Sequence, residues 1–160
     1  MAGEVEIQIV PETRVAYMRY VGPYGSPRMG DLWQAFHFWC KARGLTSAGR
    51  RMFGIAHDNP NVTPPQRTRY DASVEVEPDF QPTGEIGVQT IGGGRYACAR
   101  FTGTALEIFA AWTRFLTRTL PDARLQPDRF PAIEIFAPDF VRDLRTGTFS
   151  CTLCMPLRSG

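Results

Sequence analysis

The sequence predicts an α+β fold: tandem pseudo-twofold β-α-β-β repeats that form antiparallel sheets, with two main helices and a central cleft. Three observations predict it. Two stretches carry apolar residues at helical spacing, and each lies among shorter runs that read as strands. The strand-helix-strand-strand order occurs twice along the chain. The 160 residues are 43% apolar and 12% aromatic, enough to build a core and too much to remain disordered.

The elements follow in order. Val5, Ile7 and Ile9 alternate with Glu4, Glu6 and Gln8, as in a strand with one wet face. Pro11-Glu12 breaks it. Arg14 to Val21 is a second strand, ended by Gly22-Pro23-Tyr24-Gly25. Ser26 is placed to cap a helix that has Pro27 at its first position. That helix runs to about Arg43, with Leu32, Phe36, Trp39 and Cys40 along one side, and Gly44 stops it. Phe53 to Ala56 and Tyr70 to Val76 are strands, separated by the His57-Asp58-Asn59-Pro60 turn and a proline-containing loop. Gly84 to Thr90 and Arg95 to Thr102 are strands around the turn Gly92-Gly93-Gly94. Thr104-Ala105-Leu106-Glu107 has the form of a capping box. The helix it opens carries Ile108, Phe109, Trp112, Phe115 and Leu116 and is expected to end at Pro121. Ile133 to Phe136 and Phe149 to Met155 complete the strands.

Several function classes are disfavoured. The formal charge is +2, and the arginines are scattered, so there is no basic stripe for a nucleic acid backbone. Of the 18 basic residues only Lys41 is lysine. No apolar run is long enough to span a membrane, and the acidic start of the chain does not read as a secretory signal; a cytoplasmic location is expected. The glycine run precedes no helix with a Lys-Ser/Thr pair, which argues against a phosphate loop. Cys151 and Cys154 match C-x-x-C, but no second ligand pair exists, and on a strand the two would face opposite sides. Cys40, Cys98, Cys151 and Cys154 are therefore expected to be reduced structural thiols, with no metal and no cofactor.

The two halves align, about 1–80 with 81–160, as one domain of two repeats. A shift of 81 lays Arg14 to Gly22 over Arg95 to Gly103, with Arg, Ala, Arg and Gly in common and Tyr20 facing Phe101. A shift of 79 lays Trp33 over Trp112, Phe36 over Phe115 and Tyr70-Asp71-Ala72 over Phe149-Ser150-Cys151. Paired units leave a groove between them, and such boundaries are where small molecules bind.

Ile133-Glu134-Ile135-Phe136 is the most informative short stretch. Alternation sends the isoleucines one way, suited to packing under the helices, and sends Glu134 and Phe136 the other, toward water or the groove. The repeat alignment puts apolar Ile55 at the position of Glu134. A lone carboxylate in an aromatic cavity would favour a cationic ligand, or serve as a general acid or base. The competing reading is a solvated strand glutamate. Candidate walls are Tyr20, Tyr24, Tyr70 and Tyr96, with Trp33, Phe53, Ile55, Phe101, Trp112 and Phe136; strand register decides among them. Trp33, Phe36, Trp39 and Trp112 also suit a core. His37 reads as a packed or half-exposed histidine, and His57 could border the cleft.

Val15 to Tyr24, Phe53-Gly54-Ile55, Asp58-Asn59-Pro60, Arg69-Tyr70-Asp71-Ala72, Gly93 to Ala97, Ile133-Glu134-Ile135-Phe136 and Met155-Pro156-Leu157 occur in order. This set resembles the GyrI-like small-molecule-binding family. That family includes effector domains of AraC- and MerR-type multidrug-responsive regulators and the stand-alone DNA gyrase inhibitory protein. The resemblance implies a central cleft whose acidic residue, matched by Glu134, meets cationic lipophilic compounds. The family often has tyrosine where this chain has Phe136. Some similar stand-alone members hydrolyse cyclopropane-bearing genotoxins with a cleft glutamate and tyrosyl partners.

The expected function is a stand-alone binder of lipophilic, often cationic, drug-like molecules. The second reading is a hydrolase of strained cyclopropane-bearing compounds, with Glu134 activating water and Tyr70 or Tyr96 donating to the substrate carbonyl. The third is a gyrase inhibitor acting through its surface. The repeats occupy the whole sequence and leave no room for a helix-turn-helix. Direct nucleic acid binding is therefore not expected, and any regulation would need a protein partner such as a DNA-binding regulator or gyrase.

Overall fold

The computed structural model describes residues 4–46, 49–137, 143 and 145–159. Eight strands form one curled antiparallel sheet: β1 (Glu6–Val10), β2 (Thr13–Val21), β3 (Met52–Ala56), β4 (Arg69–Glu75), β5 (Gly87–Ile91), β6 (Gly94–Gly103), β7 (Ala132–Phe136) and β8 (Phe149–Pro156). Their spatial order is β1-β6-β8-β7-β3-β4-β2-β5. Helix α1 (Pro27–Ala42) and helix α2 (Ala105–Arg114) cover one face. No described helix is long and apolar enough to cross a membrane.

The order is symmetric about the β3–β7 seam. The copies β2-α1-β3-β4 and β6-α2-β7-β8 meet there, and the leading strands are exchanged: β1 pairs with β6 of the second copy, and β5 pairs with β2 of the first. At the seam Gly54 lies directly opposite Glu134. A twofold axis through that pair maps Gly54, not Ile55, onto Glu134. The ladders agree. Tyr17 pairs Ser73 as Cys98 pairs Cys154, so the outer strands keep a shift of 81 and Tyr70 maps onto Cys151. The shift of 79 holds for the tryptophans but not for these strands, because the connections between helix and strands differ in length between the copies.

Local signals explain the helices. Ser26 Oγ accepts the Arg28 amide at 3.2 Å, and Pro27 begins α1. The Glu107 carboxylate accepts the Thr104 amide at 2.9 Å, closing the start of α2. Pro121 does not end the second helix. The chain continues through a π-helical turn, Phe115–Thr119, in which the Leu120 amide donates to Phe115 O, and then through Leu120–Asp122. The wider turn accommodates a proline that cannot continue an ordinary α-helical ladder. β1 also departs from expectation. Glu6 to Ile9 are all exposed on this edge strand, which has a neighbour on one side alone.

Both faces of the central strands are covered. On the helix side, Phe36, Leu32 and Cys40 of α1 pack on Tyr70, Ala72 and Val74, while Phe115 and Leu120 pack on Ala97, Ala99 and Met155. On the other side the sheet curls over a core of its own: Val15, Phe53, Ile55, Tyr96, Cys98, Ile133 and Cys154, with Ile135 against it. The expectation that Ile133 and Ile135 pack under the helices is therefore reversed. Glu134 faces the helices.

Candidate functional site

Glu134 sits in the middle of β7 with only 7% of its surface exposed. Its Oε1 accepts the Tyr70 hydroxyl at 2.6 Å, and its Oε2 accepts Trp112 Nε1–H at 2.8 Å. The Tyr70 oxygen in turn accepts Trp33 Nε1–H at 3.2 Å. Each helix thus contributes one half-buried indole, Trp33 from α1 and Trp112 from α2. The reading of Glu134 as a solvated glutamate does not survive its burial.

Gly54 makes this arrangement fit. A Cβ there would lie 2.1 Å from the Tyr70 oxygen and 2.3 Å from Glu134 Oε1. The copies are complementary: glycine lies across the seam from the glutamate, and by the ladder registers Cys151 stands where the other copy has Tyr70. Two small residues leave the space that two larger polar ones fill. Gly54 carries no expected role in the sequence; its one local signal is a strand-central position between Phe53 and Ile55.

Aromatic rings surround the acid. Phe136 packs edge-on to Trp33 at 5.4 Å between centroids, and Tyr24 packs edge-on to Tyr70 at 6.3 Å. Phe101 joins Phe136, Phe149, Cys151 and Trp112 in one cluster. Tyr20 lies in the α1 cluster with Tyr70, and its hydroxyl donates to Pro23 O at 2.9 Å. Three expected wall residues lie elsewhere. Phe53, Ile55 and Tyr96 point to the helix-free face, because they occupy strand positions of the opposite parity. His57 also lies away from the acid: its Nε2 is 2.6 Å from Asp71 Oδ2, which further accepts Gln89 Nε2–H at 2.7 Å, and Arg19 Nε–H donates to Asp71 Oδ1 at 2.8 Å. His37 is exposed and packs against Trp33, with ring centroids 5.6 Å apart.

Burial raises the pKa of Glu134 above its ordinary 4.5, and the donations from Tyr70 and Trp112 offset this only in part. Burial, and then the neighbouring carboxylate, raise Tyr70 well above the ordinary phenol value. Among the described residues no arginine, lysine or histidine forms an ion pair with Glu134. Hollows of about 310 Å³ and 330 Å³ lie elsewhere, lined by residues such as Arg50 and Glu77, or Arg19 and Arg28. The rings close over the carboxylate itself.

A pseudo-twofold α+β module with an acid and an aromatic cluster between its helices defines a class of small-molecule-binding domain. The chain belongs to the GyrI-like family: the GyrI-like small molecule binding domain matches residues 3–158. It is 31% identical over 109 residues to the SPbeta prophage-derived putative transcriptional regulator YosT of Bacillus subtilis, covering 68% of this chain and 72% of that protein. It is 36% identical over 92 residues to a DNA gyrase inhibitor of Cronobacter sakazakii, covering 56% of this chain and 59% of that protein. In fold it matches SAV2435, solved bound to tetraphenylphosphonium, with a TM-score of 0.57, 12% identity and coverage of 98% of this chain and 94% of that one.

Proposed function

We propose that the space around Glu134 receives lipophilic cations, and that Glu134 is their charge partner. One observation carries this: among the described residues, a buried carboxylate is held by neutral donors alone, Tyr70 and Trp112. A buried ion without a counter-charge is costly, so a cation entering the site restores what burial removes. The surrounding rings add flat apolar area and cation–π attraction. The ligand-bound SAV2435 supports this choice of chemistry. Because the indoles cover the acid, binding requires Trp33 and Trp112 to swing outward.

Titration with tetraphenylphosphonium, followed by tryptophan fluorescence, tests the reading. Wild type should bind at least about tenfold more tightly than Glu134→Gln, and should discriminate against neutral triphenylphosphine oxide. Equal affinity of wild type and variant for the cation overturns it.

A second reading rests on the 2.6 Å contact between Tyr70 and Glu134. The pair could activate water and donate to a carbonyl during hydrolysis of a strained cyclopropane. Tyr96, on the other face, takes no part. Product formation from such a substrate by wild type, lost in Glu134→Gln, would support it; no turnover by wild type removes it.

A further inference from the structure

Cys98 and Cys154 are directly opposed on the antiparallel strands β6 and β8. Their thiols share a hydrogen bond with the sulfur atoms 3.0 Å apart. Both are buried on the helix-free face among Phe53, Ile55, Tyr96 and Ile133. Opposed residues in such a ladder have Cα atoms about 4.5–5.5 Å apart, inside the roughly 4.4–6.8 Å that a disulfide spans. The strands therefore need no new register to be joined. Cys151 lies in the cluster on the opposite face and Cys40 lies on α1, so neither competes for these sulfurs.

We propose that Cys98 and Cys154 form a modification site that a small hydroperoxide converts to a disulfide tying β6 to β8. The Cys98 thiolate attacks one peroxide oxygen and the O–O bond breaks. The departing hydroxide takes up a proton, and Cys98 is left as a sulfenic acid. The Cys154 sulfur then attacks Cys98 Sγ, the S–S bond forms and water leaves. Two thiols and one hydrogen peroxide give one disulfide and two waters; the sulfurs lose two electrons and the peroxide gains them. The shared hydrogen bond favours the first step: Cys154 can donate to a Cys98 thiolate, which holds Cys98 below the ordinary thiol pKa and Cys154 above it. Burial selects the oxidant. With Cys98 2% and Cys154 0% exposed, either oxidant must enter through a local opening of the fold, and a water-sized peroxide needs a far smaller one than a tripeptide disulfide.

The test treats the reduced full chain with hydrogen peroxide or with oxidised glutathione, then counts thiols and maps linkages by mass spectrometry. With peroxide the thiol count should fall from four to two, the mass should fall by about 2 Da, and the linked peptides should contain Cys98 and Cys154. Oxidised glutathione should act at least about tenfold more slowly. Cys98→Ala should not cross-link, whereas the double change Cys40→Ser and Cys151→Ser should still do so. Retention of four thiols in wild type, a linkage through Cys151, or equal rates with the two oxidants overturns the proposal. Wild-type mapping decides the matter even if a variant fails to fold.

Discussion

Tyr70 donates its hydroxyl to Glu134 Oε1 at 2.6 Å, and in doing so it joins β4 of one copy to β7 of the other. The bond crosses the seam above Gly54, where both copies contribute to the same small volume. It couples the phenol, the acid and the two indoles into a single unit.

Gly54→Ala should break that unit. The added Cβ has neither room nor a flexible neighbour to displace cheaply, since it meets both members of a buried hydrogen bond. Overpacking and loss of the bond together should cost about 2–4 kcal/mol. Urea unfolding measures this, and a change below about 0.5 kcal/mol would show that the seam repacks freely.

Tyr70→Phe leaves Glu134 Oε1 and Trp33 Nε1 without their shared partner. The expected loss is about 1–3 kcal/mol. Tyr96→Phe is the matched control. Its ring faces the other side of the sheet, so cation affinity should stay within about twofold of wild type. A larger effect on affinity at Tyr96 than at Tyr70 would place the site on the wrong face.

Glu134 gives a pH signature. Its folded pKa is raised above the ordinary 4.5, so the folded state holds the proton more tightly than the unfolded chain does. Ionisation therefore costs stability as the pH rises above 4.5, and the cost levels off above the folded pKa. Glu134→Gln removes that dependence. The stability of the variant relative to wild type should increase with pH across this window, as read from denaturation at several pH values. Affinity for a permanent cation should rise over the same range in wild type alone. A pH-independent difference in stability would show that the carboxyl is not desolvated.

Asp71 should behave in the opposite sense. Burial pushes its pKa up, but His57, Arg19 and Gln89 outweigh this and hold it below the ordinary 3.8. The resulting stability is present above 3.8 and is lost as the pH falls through the folded value. Asp71→Asn should cost about 2 kcal/mol or more at pH 7, somewhat less than for a fully dry pair because Arg19 is partly exposed. The difference should shrink in acid. Unfolding at pH 7 and near pH 3 compares the two directly.

Most of the strands, the two helices and the doubling were legible in the sequence, and Glu134 stood out as a lone acid on an otherwise apolar strand. Helix starts were legible at Ser26 and Thr104 because caps are local chemistry. Strand alternation correctly separated Ile133 and Ile135 from Glu134. Which of those faces met the helices, which residue opposed Glu134, and where β1 and β5 paired emerged with the folded sheet. The reason is physical. The curled sheet buries its central strands on both faces, so an apolar side chain does not mark the helix side. Neither does alternation carry the register between strands far apart in the chain. The role of Gly54 is hidden in the sequence for the same cause: the space it leaves matters only once Tyr70 and Glu134 arrive from other strands to fill it.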